Sequence, residues 1–287
     1  MVSRLPRGTR GRDDGAPGVA RAPGRPQVSA LDPGLDTALA RLAETEHLLV
    51  ALDFDGTLAP FVDRPEDARA LPEARLAVDR LLEVSHTTVA YVSGRAVDSL
   101  QLATDAQQGV LLVGSHGAEY RFDGVDAHPP LDAEDSERVT ALARAFAGFP
   151  DEHPGAKIER KPAGFAVHTR GLDADAVFRA ENDARRIIAD VAPDATVRDG
   201  KNVLEFSVLS ATKGDGIDHL RDYTGATAVL YAGDDVTDED AFAVLGEGDL
   251  PLKSGEGPTM APYRVSGPEE VARVLDRLAT LRAATGR

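Results

Sequence analysis

Four short apolar runs, each broken off by aspartate, serine or glycine, constrain this chain more than any other feature. Leu48-Leu49-Val50-Ala51-Leu52 stops at Asp53, and Thr88-Val89-Ala90-Tyr91-Val92 stops at Ser93-Gly94-Arg95. Val110-Leu111-Leu112-Val113 stops at Gly114-Ser115-His116-Gly117, and Ala228-Val229-Leu230-Tyr231-Ala232 stops at Gly233-Asp234-Asp235. Runs of this length without polar alternation fit strands buried on both faces. Helical patterns lie between and after them, such as Leu76, Leu81 and Leu82 in one segment and Val271, Val274, Leu275 and Leu278 in another that Pro268 opens. Strands alternating with helices predict an α/β fold with a Rossmann-like doubly wound core on a parallel sheet. Such sheets bind ligands at the carboxyl ends of their strands, so the polar termini predict one shared site.

The middle of the chain carries a different pattern. Phe165, Val167 and Thr169 alternate with Ala166, His168 and Arg170, and Asp199-Gly200 is a hairpin signal between Thr196-Val197-Arg198 and Asn202-Val203-Leu204. Val177, Ala180, Ala184, Ile187, Ile188 and Val191 fall on one helical face. An α+β domain over 124–205, inserted into a core made of 34–123 and 206–287, is therefore expected. Residues 1–33 are rich in Gly, Pro and Arg, lack apolar periodicity and read as a disordered tail without the apolar core of a secretory signal. The expected location is the cytoplasm.

Composition narrows the chemistry. A net charge of -16 disfavours a nucleic-acid partner, because a surface of that sign repels phosphate backbones. No run approaches the roughly 18 apolar residues of a membrane span. Cysteine is absent, so a metal site must use oxygen or imidazole ligands, and oxygen ligands favour magnesium.

Asp53-Phe54-Asp55-Gly56-Thr57 places two carboxylates just past a strand, and Gly56 lets the backbone turn tightly towards a ligand. Such a pair divides the work of phosphoryl transfer: one carboxylate attacks phosphorus, and the other exchanges protons with the leaving oxygen and then with water. In this position the sequence resembles the haloacid dehalogenase superfamily. Asp53, Asp55, Gly56 and Thr57 match its first motif, Ser93 its second, Lys213 its third, and Gly233-Asp234-Asp235 with Asp238 its acidic fourth. The resemblance implies Asp53 as nucleophile, Asp55 as general acid and base, and Ser93 and Lys213 as donors to the phosphoryl oxygens. It also implies magnesium on Asp53, the main-chain oxygen of Asp55, and Asp234, with Thr57, Asp235 and Asp238 supporting these ligands.

Four longer stretches resemble the trehalose-6-phosphate phosphatases over about 47–280. They are Asp53 to Pro60, Ser93-Gly94-Arg95, Gly114 to Glu119, and Gly233 to Phe242. In that family an inserted cap closes over the sugar, which implies substrate contacts from Gly56, Arg95, His116 and Gly117 on the core and from Glu159, Lys161, His168, Arg170, Lys201 and Glu205 on the cap. The period of a strand puts Lys157, Glu159 and Lys161 on one face, and Lys201 and Glu205 on one face of another strand. Many relatives carry Arg-Pro after the matched glutamate, where this chain has Phe206-Ser207-Val208. The implied activity is hydrolysis of trehalose 6-phosphate, with a trehalose phosphate synthase as a partner. The alternatives are another sugar phosphatase, for sucrose phosphate or mannosyl-phosphoglycerate, and a non-catalytic partner of such a synthase.

Overall fold

The computed structural model describes residues 1–2, 31–62, 64–105, 108–200 and 202–286. Nearly all of the expected tail lies outside them, and its last residue is already helical: α1 (Pro33–Ala43) starts on Pro33, with the Asp32 carboxylate capping Gly34 N and Leu35 N. The first half continues with β1 (Leu48–Leu52), α2 (Pro72–Leu82), β2 (Thr87–Val92), α3 (Val97–Thr104), β3 (Leu111–Gly114), β4 (Glu119–Phe122) and β5 (Val125–Ala127). Then come α4 (Ala133–Ala145), α5 (Phe149–Glu152), β6 (Lys157–Lys161), β7 (Gly164–His168), α6 (Ala174–Val191), β8 (Thr196–Gly200) and β9 (Val203–Ser207). The chain closes with α7 (Lys213–Thr224), β10 (Ala228–Gly233), α8 (Asp238–Ala243), β11 (Leu250–Ser254), β12 (Tyr263–Val265) and α9 (Pro268–Ala284).

The larger sheet has the order β12-β11-β10-β1-β2-β3-β4-β5, parallel from β12 to β3 and antiparallel at β4 and β5. From β1 the chain steps outwards to β2 and β3, then returns on the other side of β1 through β10, β11 and β12. The strand order therefore reverses between β1 and β10, which opens a crevice at their carboxyl ends. Leu49, Ala51, Val229 and Tyr231 pack on one side against Ile217 and Leu220 of α7 and Ala241 and Phe242 of α8. Leu48, Val50 and Leu52, equally buried, point the other way. There α2 packs on β2, and α9 lies against α1 and α2.

The smaller sheet, β6-β7-β9-β8, is antiparallel throughout. Phe165, Val167, Leu204 and Phe206 on one of its faces form a separate core with Leu142 of α4, Phe146, Phe149 and Ala180, Ala184 and Ile188 of α6. The opposite face carries Glu159, Lys161, His168 and Glu205, which the strand period separates from the apolar set.

Three expectations shift. Sheet membership moves the expected junctions of the insertion: β5 stays in the larger sheet because Asp123 (φ 51°) and Gly124 (φ 78°) form a tight hairpin, and Phe206 and Ser207 stay in the smaller one. The second hairpin turns after Gly200, not at Asp199-Gly200, since Gly200 pairs with Val203 and Asn202 takes the positive φ of 62° that such a turn requires. Leu76 is exposed while Ala74, Ala77, Val78 and Leu81 of α2 are buried. Five residues of helix turn about 140° past a full circle, so Leu76 and Leu81 cannot share a face.

One buried cation ties the carboxyl-terminal helix to the sheet. Arg282 of α9 is fully buried, and its guanidinium donates to the main-chain oxygens of Ala43, Thr45, Glu46 and His86 and to Thr87 Oγ1. Arg282→Met keeps the bulk but strips these oxygens of their donor; a loss on the order of 3 kcal/mol in denaturant-induced unfolding is expected. Among the described residues no helix is long and apolar enough to cross a membrane.

Candidate active site

The crevice between β1 and β10 is where the acidic residues meet. Asp53 N donates to Ala232 O at 2.9 Å, which locks the end of β1 to β10. The chain then turns sharply: Phe54 O accepts from Leu58 N and Ala59 N, both at 2.9 Å, and Gly56 N donates to Ala59 O at 2.7 Å. Gly56 sits at φ 83°, and a Cβ there would lie 2.3 Å from Asp234 Oδ2, so only glycine lets this turn reach the β10 terminus.

Lys213 is the first residue of α7, placed by a capping box in which Thr212 and Asp215 satisfy each other's main-chain N–H groups. Its buried ammonium lies between two carboxylates, 2.7 Å from Asp53 Oδ1 and 2.6 Å from Asp238 Oδ1. Asp238 is itself filled, since Tyr231 Oη donates to Oδ1 at 2.6 Å and Asp235 N donates to Oδ2 at 2.8 Å. The fully buried Thr57 hydroxyl reaches Asp53 Oδ2 at 3.3 Å and Asp234 Oδ1 at 3.4 Å. Ser93, at the end of the adjacent β2, is buried with its Oγ accepting from Arg95 N at 3.2 Å.

Oxygens of Asp53, Asp234 and Asp238 lie within 4.8 Å of one another. Burial raises the Asp53 carboxyl well above its ordinary range despite Lys213, and burial together with the Asp238 charge pushes Asp234 up to about 6. Asp238 goes the other way: burial works against its charge, but Lys213 and Tyr231 more than offset this and hold it down. Burial likewise opposes the Lys213 charge, and the Asp238 and Asp53 carboxylates override it and raise the ammonium. The cluster thus has more carboxylate charge than Lys213 balances, and the strain sits on Asp53 and Asp234. An all-oxygen donor set with excess negative charge fits a hard divalent cation. Asp238 is the most fully engaged of the three, accepting from Lys213 and Tyr231 on Oδ1 and from Asp235 N on Oδ2, whereas Asp53 Oδ2 and Asp234 Oδ1 meet only the long Thr57 contacts.

The Asp55 carboxylate makes no hydrogen bond to this cluster among the described residues and is gripped by Arg95, with Nε to Oδ2 at 2.6 Å and Nη2 to Oδ1 at 2.7 Å. Arg95, expected at the substrate, is engaged with a neighbouring side chain. Asp235 is exposed beside the cluster. His116 sits at φ 56° with Nδ1 buried and unpartnered, and burial lowers its pKa. Gly117 (φ 102°) packs so closely on the start of α7 that a Cβ would lie 2.3 Å from Thr212 O.

The polar face of the smaller sheet meets this loop. His116 Nε2 lies 3.6 Å from Glu205 Oε2, and Lys161 Nζ donates to Glu205 Oε1 at 2.8 Å. Burial pushes the Glu205 carboxyl up, but His116 and Lys161 hold it down, to about 2. His168 and Glu159 pair at 2.7 Å on the same face, and Arg170 is exposed beyond β7. Lys201 lies outside the described residues.

Two residues escaped the sequence reading. Lys253, buried at the end of β11, donates to the main-chain oxygen of Asp234, and Ser254 Oγ donates to Gly56 O at 2.9 Å, tying the β1 turn to β11. Leu250-Pro251-Leu252 followed by Lys253-Ser254 repeats the apolar-then-polar ending of the four strands above, a signal masked by its proline.

A family model described as trehalose-phosphatase matches residues 51–269, a span that holds Asp53, Ser93, Lys213, Asp234 and the whole smaller sheet. The chain belongs to the trehalose-phosphatase family. Among its relatives, the trehalose-phosphate phosphatase of Mycobacterium avium is 34% identical over 251 residues, covering 81% of this chain and 62% of that one. The bifunctional trehalose-6-phosphate synthase/phosphatase of Thermoproteus tenax is 30% identical over 256 residues, covering 85% and 33%. The chain thus spans less than two thirds of either family member. The C-terminal domain of the C. albicans trehalose-6-phosphate phosphatase shares the fold, with a TM-score of 0.66 at 23% identity over 86% of this chain and 96% of that one.

Proposed function

We propose that the protein hydrolyses trehalose 6-phosphate to trehalose and phosphate, as a step of trehalose biosynthesis, through an aspartyl phosphate on Asp53. What carries this reading is the Lys213 ammonium buried between Asp53 and Asp238 at the strand-order reversal, beneath a polar sheet face that meets His116. A phosphoryl group entering there meets one carboxylate oriented by a lysine, with Ser93 at the neighbouring strand end. Asp53 attacks phosphorus in line, and Asp55 gives a proton to the departing sugar oxygen. Asp55 then takes a proton from the water that attacks the phosphorus and frees Asp53. Lys213 and Ser93 donate to the phosphoryl oxygens, whose charge spreads as the bond breaks. Magnesium on Asp53, the Asp55 main-chain oxygen and Asp234 supplies further neutralisation of that charge when bound. Glu159, Lys161, His168 and Glu205 offer the sugar hydroxyls both donors and acceptors. A trehalose phosphate synthase is the natural partner, because the Thermoproteus relative joins both activities in its name.

Phosphate release from trehalose 6-phosphate, sucrose 6-phosphate, glucose 6-phosphate and mannosyl-phosphoglycerate, with magnesium and with chelator, tests this. Magnesium-dependent preference for trehalose 6-phosphate is the expected result. Preference for another sugar overturns the substrate, and no release from any overturns the reaction. Gly56→Ala is expected to push Asp234 aside, given the 2.3 Å approach. Its magnesium affinity by calorimetry should weaken, and kcat/KM should fall on the order of 100-fold.

A further inference from the structure

We propose that Arg95 is a positioning residue that aims the Asp55 carboxylate for proton transfer, and does not bind the substrate. The inference rests on the reading of Asp55 as the acid and base. Two parallel N–H···O bonds, 2.6 and 2.7 Å long, fix both the plane and the direction of the carboxylate, which a single bond would leave free to rotate. Arg95 is fixed in turn: Nη2 also donates to Pro65 O at 2.9 Å, and the guanidinium lies 5.6 Å from the centroid of the Phe54 ring. Its main chain joins the same scaffold, Arg95 N donating to Ser93 Oγ and Arg95 O accepting from Ser115 N at 2.8 Å. Among the described residues Asp55 has no other side-chain hydrogen bond, although its side chain is 33% exposed. Without Arg95 it would sample several rotamers in water. Each oxygen keeps a lone pair beyond its bond to Arg95, so a proton can still move through it.

A sugar alkoxide leaves poorly unless protonated, whereas 4-nitrophenolate leaves as a stable anion. Loss of a correctly aimed acid therefore harms the first substrate far more than the second. The test measures kcat/KM for trehalose 6-phosphate and 4-nitrophenyl phosphate in the wild type, Asp55→Asn, Arg95→Met, Arg95→Lys and the double variant Asp55→Asn/Arg95→Met. Arg95→Met is expected to lose about 100-fold on the sugar phosphate and only a few-fold on 4-nitrophenyl phosphate. Arg95→Lys should recover part of this loss, because an ammonium cannot make the paired bonds. In the Asp55→Asn background Arg95→Met should cost little more, since its target is already gone. An equal loss on both substrates, or an undiminished loss in the Asp55→Asn background, overturns the inference and makes Arg95 a ligand. Should Asp55→Asn itself show no leaving-group dependence, the acid and base reading of Asp55 falls, and the inference with it.

Discussion

Asp53→Asn is expected to abolish magnesium-dependent phosphate release, by on the order of 10,000-fold or more, while leaving the protein folded. The amide keeps the shape of the side chain but cannot attack phosphorus in the role proposed for Asp53. Folding should survive because Lys213 keeps its 2.6 Å partner Asp238, and because the lost charge is one that burial and the Asp238 and Asp234 carboxylates disfavour. Phosphate release and a thermal melt in chelator check both halves. A variant with near-normal turnover would remove Asp53 from its role, whereas an unfolded one would show that the Lys213 bridge needs both carboxylates.

Lys213→Met should damage activity and stability together. Taking out the ammonium leaves Asp53 and Asp238 buried without their cation, and breaking a buried pair in this way costs about 3–5 kcal/mol. Its pH dependence follows from the sign of the Asp238 shift. In the wild type that carboxyl is held below its ordinary value, so it contributes stability above the unfolded pKa of about 4, and this is lost as pH falls through the lower folded value. Without Lys213, burial raises the folded value above the unfolded one. The folded state then binds the proton more tightly, and stability declines as pH rises above about 4. Urea unfolding at pH 5 and pH 8 should therefore show a larger deficit at pH 8. Added magnesium, by binding the folded carboxylates, should restore part of it. A deficit independent of pH would mean that the ammonium acts through packing alone.

The strands that build the site were legible because each is a local pattern. Five consecutive apolar residues before Asp53 or Asp234 demand burial on both faces whatever the rest of the chain does. The residues around Asp53, Ser93, Lys213 and Asp234 were reached through the resemblance of an ordered set of short motifs, each at a strand end or helix start, and not from any one of them alone. The helix over Leu76 was legible too, but not which of its residues faces inwards, because alanines and a valine cover the core there and Leu76 does not.

Partner choice was not legible. Arg95 finds Asp55 across 40 residues, Lys213 finds Asp53 across 160, and Ser254 reaches Gly56 across 198. No local spacing encodes such meetings; they exist because parallel strands on either side of β1 bring their ends to one edge. The same holds for the charges. An aspartate in a motif has an ordinary pKa until neighbours bury it, and the opposite shifts of Asp234 and Asp238 arise from the partners each finds: Asp238 accepts from Lys213, Tyr231 and Asp235 N, whereas Asp234 is buried beside the Asp238 charge. Burial patterns are periodic in the chain and can be read along it, whereas electrostatics depends on distance in space, which the closed fold alone sets.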